Sequence, residues 1–119
     1  MRIVEVIEDQ PELTTAYHIT TRELADEILA GGLRPHGGVA FLIVDRGDAR
    51  QLRDDFFTVG TWMLAKTERT EEPLTLLKID IRGIDIEIDR NSRRWYVSRG
   101  TIPANRITDL GEEAFERVI

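Results

Sequence analysis

The sequence predicts an α+β fold: one domain of about six strands, with two or three helices placed mostly in the N-terminal half. Three observations predict it. Leu24, Ala25, Ile28 and Leu29 recur at helical spacing, so an amphipathic helix lies early in the chain. Ile84, Ile86 and Ile88 alternate with Asp85, Glu87 and Asp89, the pattern of a strand with one buried and one wet face. No internal repeat, low-complexity tract or Pro/Gly/Ser-rich linker divides residues 1–119. With 41% apolar and 32% charged residues, a chain of this length can bury a core of its own as a single domain.

Taken in order, Ile3 to Ile7 reads as a strand that ends at Asp9-Gln10-Pro11, and a second strand leads into His18. Thr20 with Glu23 fits a capping box, which starts a helix near Thr21. Its polar positions Arg22, Glu23, Asp26 and Glu27 face water, and Gly31-Gly32 supplies the stop. After the turn at Arg34-Pro35-His36-Gly37-Gly38, the apolar run Val39 to Val44 predicts a central strand buried on both faces.

Asp45 to Phe57 predicts a helix with Ala49, Leu52, Phe56 and Arg53 toward the interior, and Gly60 to Glu68 a second, short one carrying Trp62, Met63 and Leu64. Thr67 to Pro73 is an exposed loop. Leu74 to Ile81 reads as a strand broken at Gly83, Trp95 to Ser98 as another, and Thr101-Ile102-Pro103 as an extended turn. Arg106 to Leu110 reads as the last strand before a frayed, acidic end.

Composition excludes several kinds of chemistry. There is no cysteine, so disulfides, thiolate metal sites and cysteine nucleophiles are absent and the cytoplasm is the expected compartment. No segment approaches the roughly 18 to 20 apolar residues that span a bilayer, so no membrane is expected as a partner. A net charge of −6 disfavours broad nucleic-acid affinity. The basic stretch Arg90, Arg93, Arg94, Arg99 and Arg106 reads either as an anion site or as a solvated face balancing nearby acids. His18 and His36 have no paired metal-ligand spacing, and Asp45 with Asp48, or Asp54 with Asp55, reads as helix-terminal and surface acids, so no metal is expected. Neither a phosphate-binding glycine loop nor a nucleophile elbow around Ser92 or Ser98 is present.

The residue that remains is His18, at the end of a strand before a capped helix, with Thr20 on the same strand face. A histidine there can hydrogen-bond a ribose hydroxyl while neighbouring amides meet a carboxamide or phosphate. It can equally be a core histidine bonded to a carbonyl.

Tyr17-His18-Ile19-Thr20-Thr21, the helix ending in Ile28-Leu29-Ala30-Gly31-Gly32-Leu33-Arg34-Pro35 and the strand Val39-Ala40-Phe41-Leu42 resemble the first half of the ADP-ribosyltransferase superfamily. That superfamily includes the RNA 2′-phosphotransferases and many small bacterial toxins. Leu76 to Asp80 and the run Tyr96 to Ile107, with its Ile102-Pro103 turn, are similar to its second half, so the resemblance spans about Ala16 to Leu110. It implies a split β-sheet and NAD as co-substrate, with an unknown protein or nucleic-acid acceptor. It also implies that His18 holds the ribose, the Ile19 backbone meets the carboxamide and Thr20 supports the histidine. Phe41 then stacks on nicotinamide, Tyr17, Trp95 and Tyr96 complete the dinucleotide site, and Arg99 approaches the pyrophosphate.

Trp95 stands where most members place the catalytic glutamate, and Glu71, Glu72 and Glu87 are acids that could reach the site from loops. The resemblance therefore also admits a nucleotide- or partner-binding module without catalysis. A third implied reading is an RNA 2′-phosphotransferase-like enzyme gripping phosphate through Arg34, Arg94 or Arg99.

Overall fold

A computed structural model of the chain describes residues 13–35, 40–68, 71–89 and 95–119. The strand expected over Ile3 to Ile7, His36 in the turn before the second apolar run, and Arg90, Ser92, Arg93 and Arg94 lie outside the described residues. Six strands form one sheet, every pairing antiparallel: β1 (Thr15–Thr21), β2 (Ala40–Val44), β3 (Leu74–Asp80), β4 (Ile86–Ile88), β5 (Tyr96–Ser98) and β6 (Ile107–Gly111), in the order β4-β5-β2-β1-β3-β6. Among the described residues three α-helices cover it, α1 (Arg22–Gly31), α2 (Ala49–Thr67) and α3 (Glu112–Val118). No helix among the described residues is long and apolar enough to cross a membrane.

Both faces of the sheet are buried, because helices pack on each. On one face Ala16, Leu42, Val44, Leu77 and Ile79 meet Ala25 and Ile28 of α1. On the other, Ile19, Ile43, Leu74 and Leu76 meet Phe56 of α2 and Phe115 of α3. Side chains alternate between these faces along each strand, which is why uninterrupted apolar runs make strands here.

Local chemistry revises four expectations. Thr20 is not the helix cap: β1 stays paired with β3 through Thr21 opposite Leu74, so the chain leaves the sheet one residue later. The Thr21 hydroxyl then accepts from the Leu24 amide at 3.3 Å, and Thr20 is a strand residue only 3% exposed. The helices expected on either side of Val59 are one helix, capped by the Asp48 carboxylate, which accepts from the Arg50 and Gln51 amides. Gly60 does not break it. A Cβ at Gly60 would meet the side chain of Ile119 and touch Phe115, so the missing side chain serves the approach of α3.

Asp55 is 1% exposed, not a surface acid, and Arg53 rather than Asp55 faces water. The Asp55 carboxylate accepts from the side-chain Nε2 of Gln51 at 2.9 Å and lies 3.7 Å from Arg46, which offsets the cost of burying it. The acidic end is not frayed, because α3 anchors Phe115 in the core.

The start of α1 is tied across the sheet by one carboxylate. Asp109 on β6 accepts from the Arg22 guanidinium at 2.7 Å, the Thr75 hydroxyl at 2.8 Å and the Gly111 amide at 3.0 Å. The far end of α1 stops at Gly32, whose φ of +90° suits glycine and whose missing Cβ leaves room for the Ile102 carbonyl. Leu33 and Ile102 then exchange backbone hydrogen bonds of 2.8 and 2.9 Å.

Candidate functional site

β1 is paired with β3 along its whole length, yet it pairs with β2 only at Ala16 opposite Val44 and Tyr17 opposite Ile43. Continuing that register would set His18 against Leu42 and Ile19 against Phe41, but the two strands splay apart at this point. The His18 ring spans the opening, its Nδ1 3.1 Å from the Phe41 carbonyl oxygen. A carbonyl only accepts, so Nδ1 carries a proton in this contact, and in the neutral ring the accepting lone pair is on Nε2. The two sequence-based readings of His18 are thus not exclusive: the ring is bonded to a carbonyl and also lines a cavity.

That cavity, about 1290 Å³, occupies the opening between the strands. Tyr17, His18, Ile19 and Thr20 of β1 and Ala40 to Ile43 of β2 form its floor, with Trp95 beside them. One wall is the face of α1 carrying Leu24, Glu27, Ile28 and Gly31, a helical stripe continued by Gly32, Leu33 and Arg34. The other is the stripe Thr58, Val59, Trp62, Met63 and Lys66 of α2. Since the two helices lie on opposite faces of the sheet, the cavity passes through the sheet where β1 and β2 part.

The splay also explains Phe41. The run around it is buried as expected, but Phe41 itself is 51% exposed because no strand partner covers its flank on the open side. Tyr17 is fixed by an edge-on contact with Phe56, centroids 5.0 Å apart, and burial together with the nearby Asp45 charge raises the pKa of its hydroxyl. Most of the lining is apolar. Besides the Tyr17 hydroxyl, its ionisable side chains among the described residues are His18, Glu27, Arg34 and Lys66.

Of the residues singled out in the sequence, Tyr17, His18, Ile19, Thr20, Arg34, Phe41 and Trp95 line this one cavity. Tyr96 and Arg99 do not. Tyr96 turns to the α1 side of the sheet, packed on that core with the Arg46 guanidinium 6.0 Å from its ring. Arg99 donates to Glu87 at 2.7 Å and lines a separate depression of about 400 Å³ between Gly83 and Pro103. Glu87 is occupied there, and neither Glu71 nor Glu72 lines the larger cavity. Among the described residues, Glu27 is the one carboxylate that does.

No protein-family model, curated protein or solved structure matches this chain. The site therefore rests on its geometry. Among the described residues no group of three or more His, Cys, Asp or Glu side chains is gathered to hold a metal ion. Trp62, Lys66 and Glu27 escaped sequence reasoning. The signal for the first two was the i, i+4 stripe Thr58, Trp62, Lys66, which is hidden once the helix is cut near Val59.

Proposed function

We propose that the cavity between β1 and β2 binds NAD and that the chain is an ADP-ribosyltransferase-like domain that transfers ADP-ribose to a macromolecular acceptor. One observation carries the reading: the splay after Tyr17 gathers Tyr17, His18, Ile19, Thr20, Phe41 and Trp95 on one cavity. Where β2 leaves β1, the opened strand edge offers backbone groups that a carboxamide can meet in place of a neighbouring strand. His18, held by the Phe41 carbonyl, is placed to bond a ribose hydroxyl, and the exposed Phe41 ring gives nicotinamide an apolar face to stack on.

In the transfer itself the bond between nicotinamide and the ribose C1′ breaks, nicotinamide leaves, and an acceptor nucleophile bonds to C1′ as it gives up its proton. The positive charge that develops on the ribose calls for a carboxylate. Glu27 is the described acid that lines the cavity. A second reading, a nucleotide-binding module that transfers nothing, is favoured by Trp95, which brings an indole to the position where the resemblance calls for an acid.

Calorimetric titration with NAD, followed by chromatography for free nicotinamide at millimolar NAD, separates these readings. Binding with nicotinamide release supports transfer or hydrolysis of NAD. Binding without release supports the module. Absence of both overturns the assignment.

A further inference from the structure

We infer that Trp62 and Lys66 of α2 form a paired platform for a planar heterocycle that carries a phosphate; this deepens the nucleotide reading and rests on it. Trp62 is 60% exposed although it lines the cavity, and Lys66 Nζ lies 5.1 Å from the centre of its ring. The two residues are one helical turn apart, so their side chains leave α2 on the same face.

Charge selects the ligand class. The chain carries a net charge of −6 and has only two lysines, yet this cavity gathers Lys66 and Arg34 against one acid, Glu27. The lining is locally cationic, with an aromatic face beneath the cation. An aromatic face recruits a flat ring, and a cation recruits an anion attached to it.

The Lys66 ammonium covers one face of the indole. A base that stacks on that face of Trp62 must displace it, and a phosphate on the same ligand gives the displaced ammonium a new partner. The platform therefore favours a base and a phosphate joined in one molecule over either part alone. This leads to a crossed expectation for Lys66→Gln. The variant should lose roughly tenfold in affinity for ADP, while adenosine, which no longer has to displace a cation, binds it at least as well as it binds the wild type.

The chain has two tryptophans, and both line the cavity, so intrinsic fluorescence reports on it directly. ADP, adenosine and inorganic pyrophosphate are titrated into the wild type, Trp62→Ala and Lys66→Gln, with calorimetric titration of ADP and NAD alongside. The expected result is an ADP affinity that falls about tenfold in Trp62→Ala, followed through Trp95, together with the crossed effect in Lys66→Gln. Trp62 is exposed enough that its replacement leaves the core intact.

ADP affinity unchanged in Trp62→Ala or in Lys66→Gln while NAD still binds the wild type overturns the platform and leaves the NAD reading standing. If neither NAD nor ADP binds the wild type, both fall. A concentration-dependent dimer by sedimentation that Trp62→Ala dissolves, with no ADP quenching, assigns the ring to contact between copies and also overturns the platform.

Discussion

His18 faces two ways in one ring, since Nδ1 meets the Phe41 carbonyl at the mouth of the cavity while the side chain lines the cavity itself. Removing the ring separates the two. His18→Ala should cost about 1 kcal/mol of stability for each partly exposed hydrogen bond that it removes, the bond to Phe41 among them, while weakening NAD binding by about tenfold or more. Chemical denaturation and calorimetry on the same protein check both; a variant with unchanged NAD affinity would mean that the ring serves only to tie β2 to β1.

Asp109 makes the second prediction at this scale. Burial raises its pKa, but the bonds from Arg22, Thr75 and the Gly111 amide outweigh that effect and hold the carboxyl below its ordinary value. A depressed folded-state pKa contributes stability above the unfolded value, near pH 4, and loses it as the pH falls through the folded value. The wild type should therefore weaken progressively below about pH 4. Asp109→Asn should be less stable at neutral pH and show a flatter acid limb, read from denaturation midpoints between pH 7 and pH 2.5.

At the scale of elements, α1 depends on how it ends. Gly32 has φ +90°, and a Cβ there would approach the Ile102 carbonyl oxygen to 2.5 Å, so Gly32→Ala meets both backbone strain and a backbone clash. We expect a loss of about 2 kcal/mol, measurable as a shift in urea midpoint, accompanied by loosening of Leu33 and Arg34 at the cavity wall. α3 depends on one ring. Phe115 is buried beneath α2, and Phe115→Ala should cost about 3 kcal/mol without abolishing NAD binding, because α3 contributes nothing to the cavity lining.

The elements also show what was legible. Strand β3 and helix α1 follow from apolar patterning, which is local in sequence. Gly60 was not legible as a helix residue, since a glycine within a helix carries a propensity cost of about 1 kcal/mol. What it gains is contact with Phe115 and Ile119, more than 50 residues along the chain. Asp55 was misread for the same reason: Gln51 is local, but the burial that calls for Gln51 and Arg46 comes from the packing of α2 on the sheet.

For the molecule as a whole, a cavity that parts two neighbouring strands couples ligand binding to the integrity of the sheet. A ligand that binds only the folded state stabilises it by about 2.7 kcal/mol at 100 times its Kd, roughly a 10 °C rise in Tm for a domain of this size. NAD should produce such a rise in the wild type, and a much smaller one in His18→Ala at the same concentration, by scanning calorimetry. An equal rise in both would place the bound NAD away from the opening between β1 and β2.

The sequence by itself determined the α+β class, the sheet strands of the described residues and the candidate status of Tyr17 to Thr20 and Phe41, because patterning, caps and the Tyr-His-x-Thr run act over a few residues. Only the tertiary structure decided that β1 and β2 part after Tyr17. It brought Trp95 and the α2 stripe of Trp62 and Lys66 onto the same cavity, and left Tyr96 and Arg99 outside it. The physical reason is that strand register and the two faces of a sheet are set by contacts between segments distant in sequence. Side-chain alternation assigns a residue to one face or the other, but not to the place where the sheet opens.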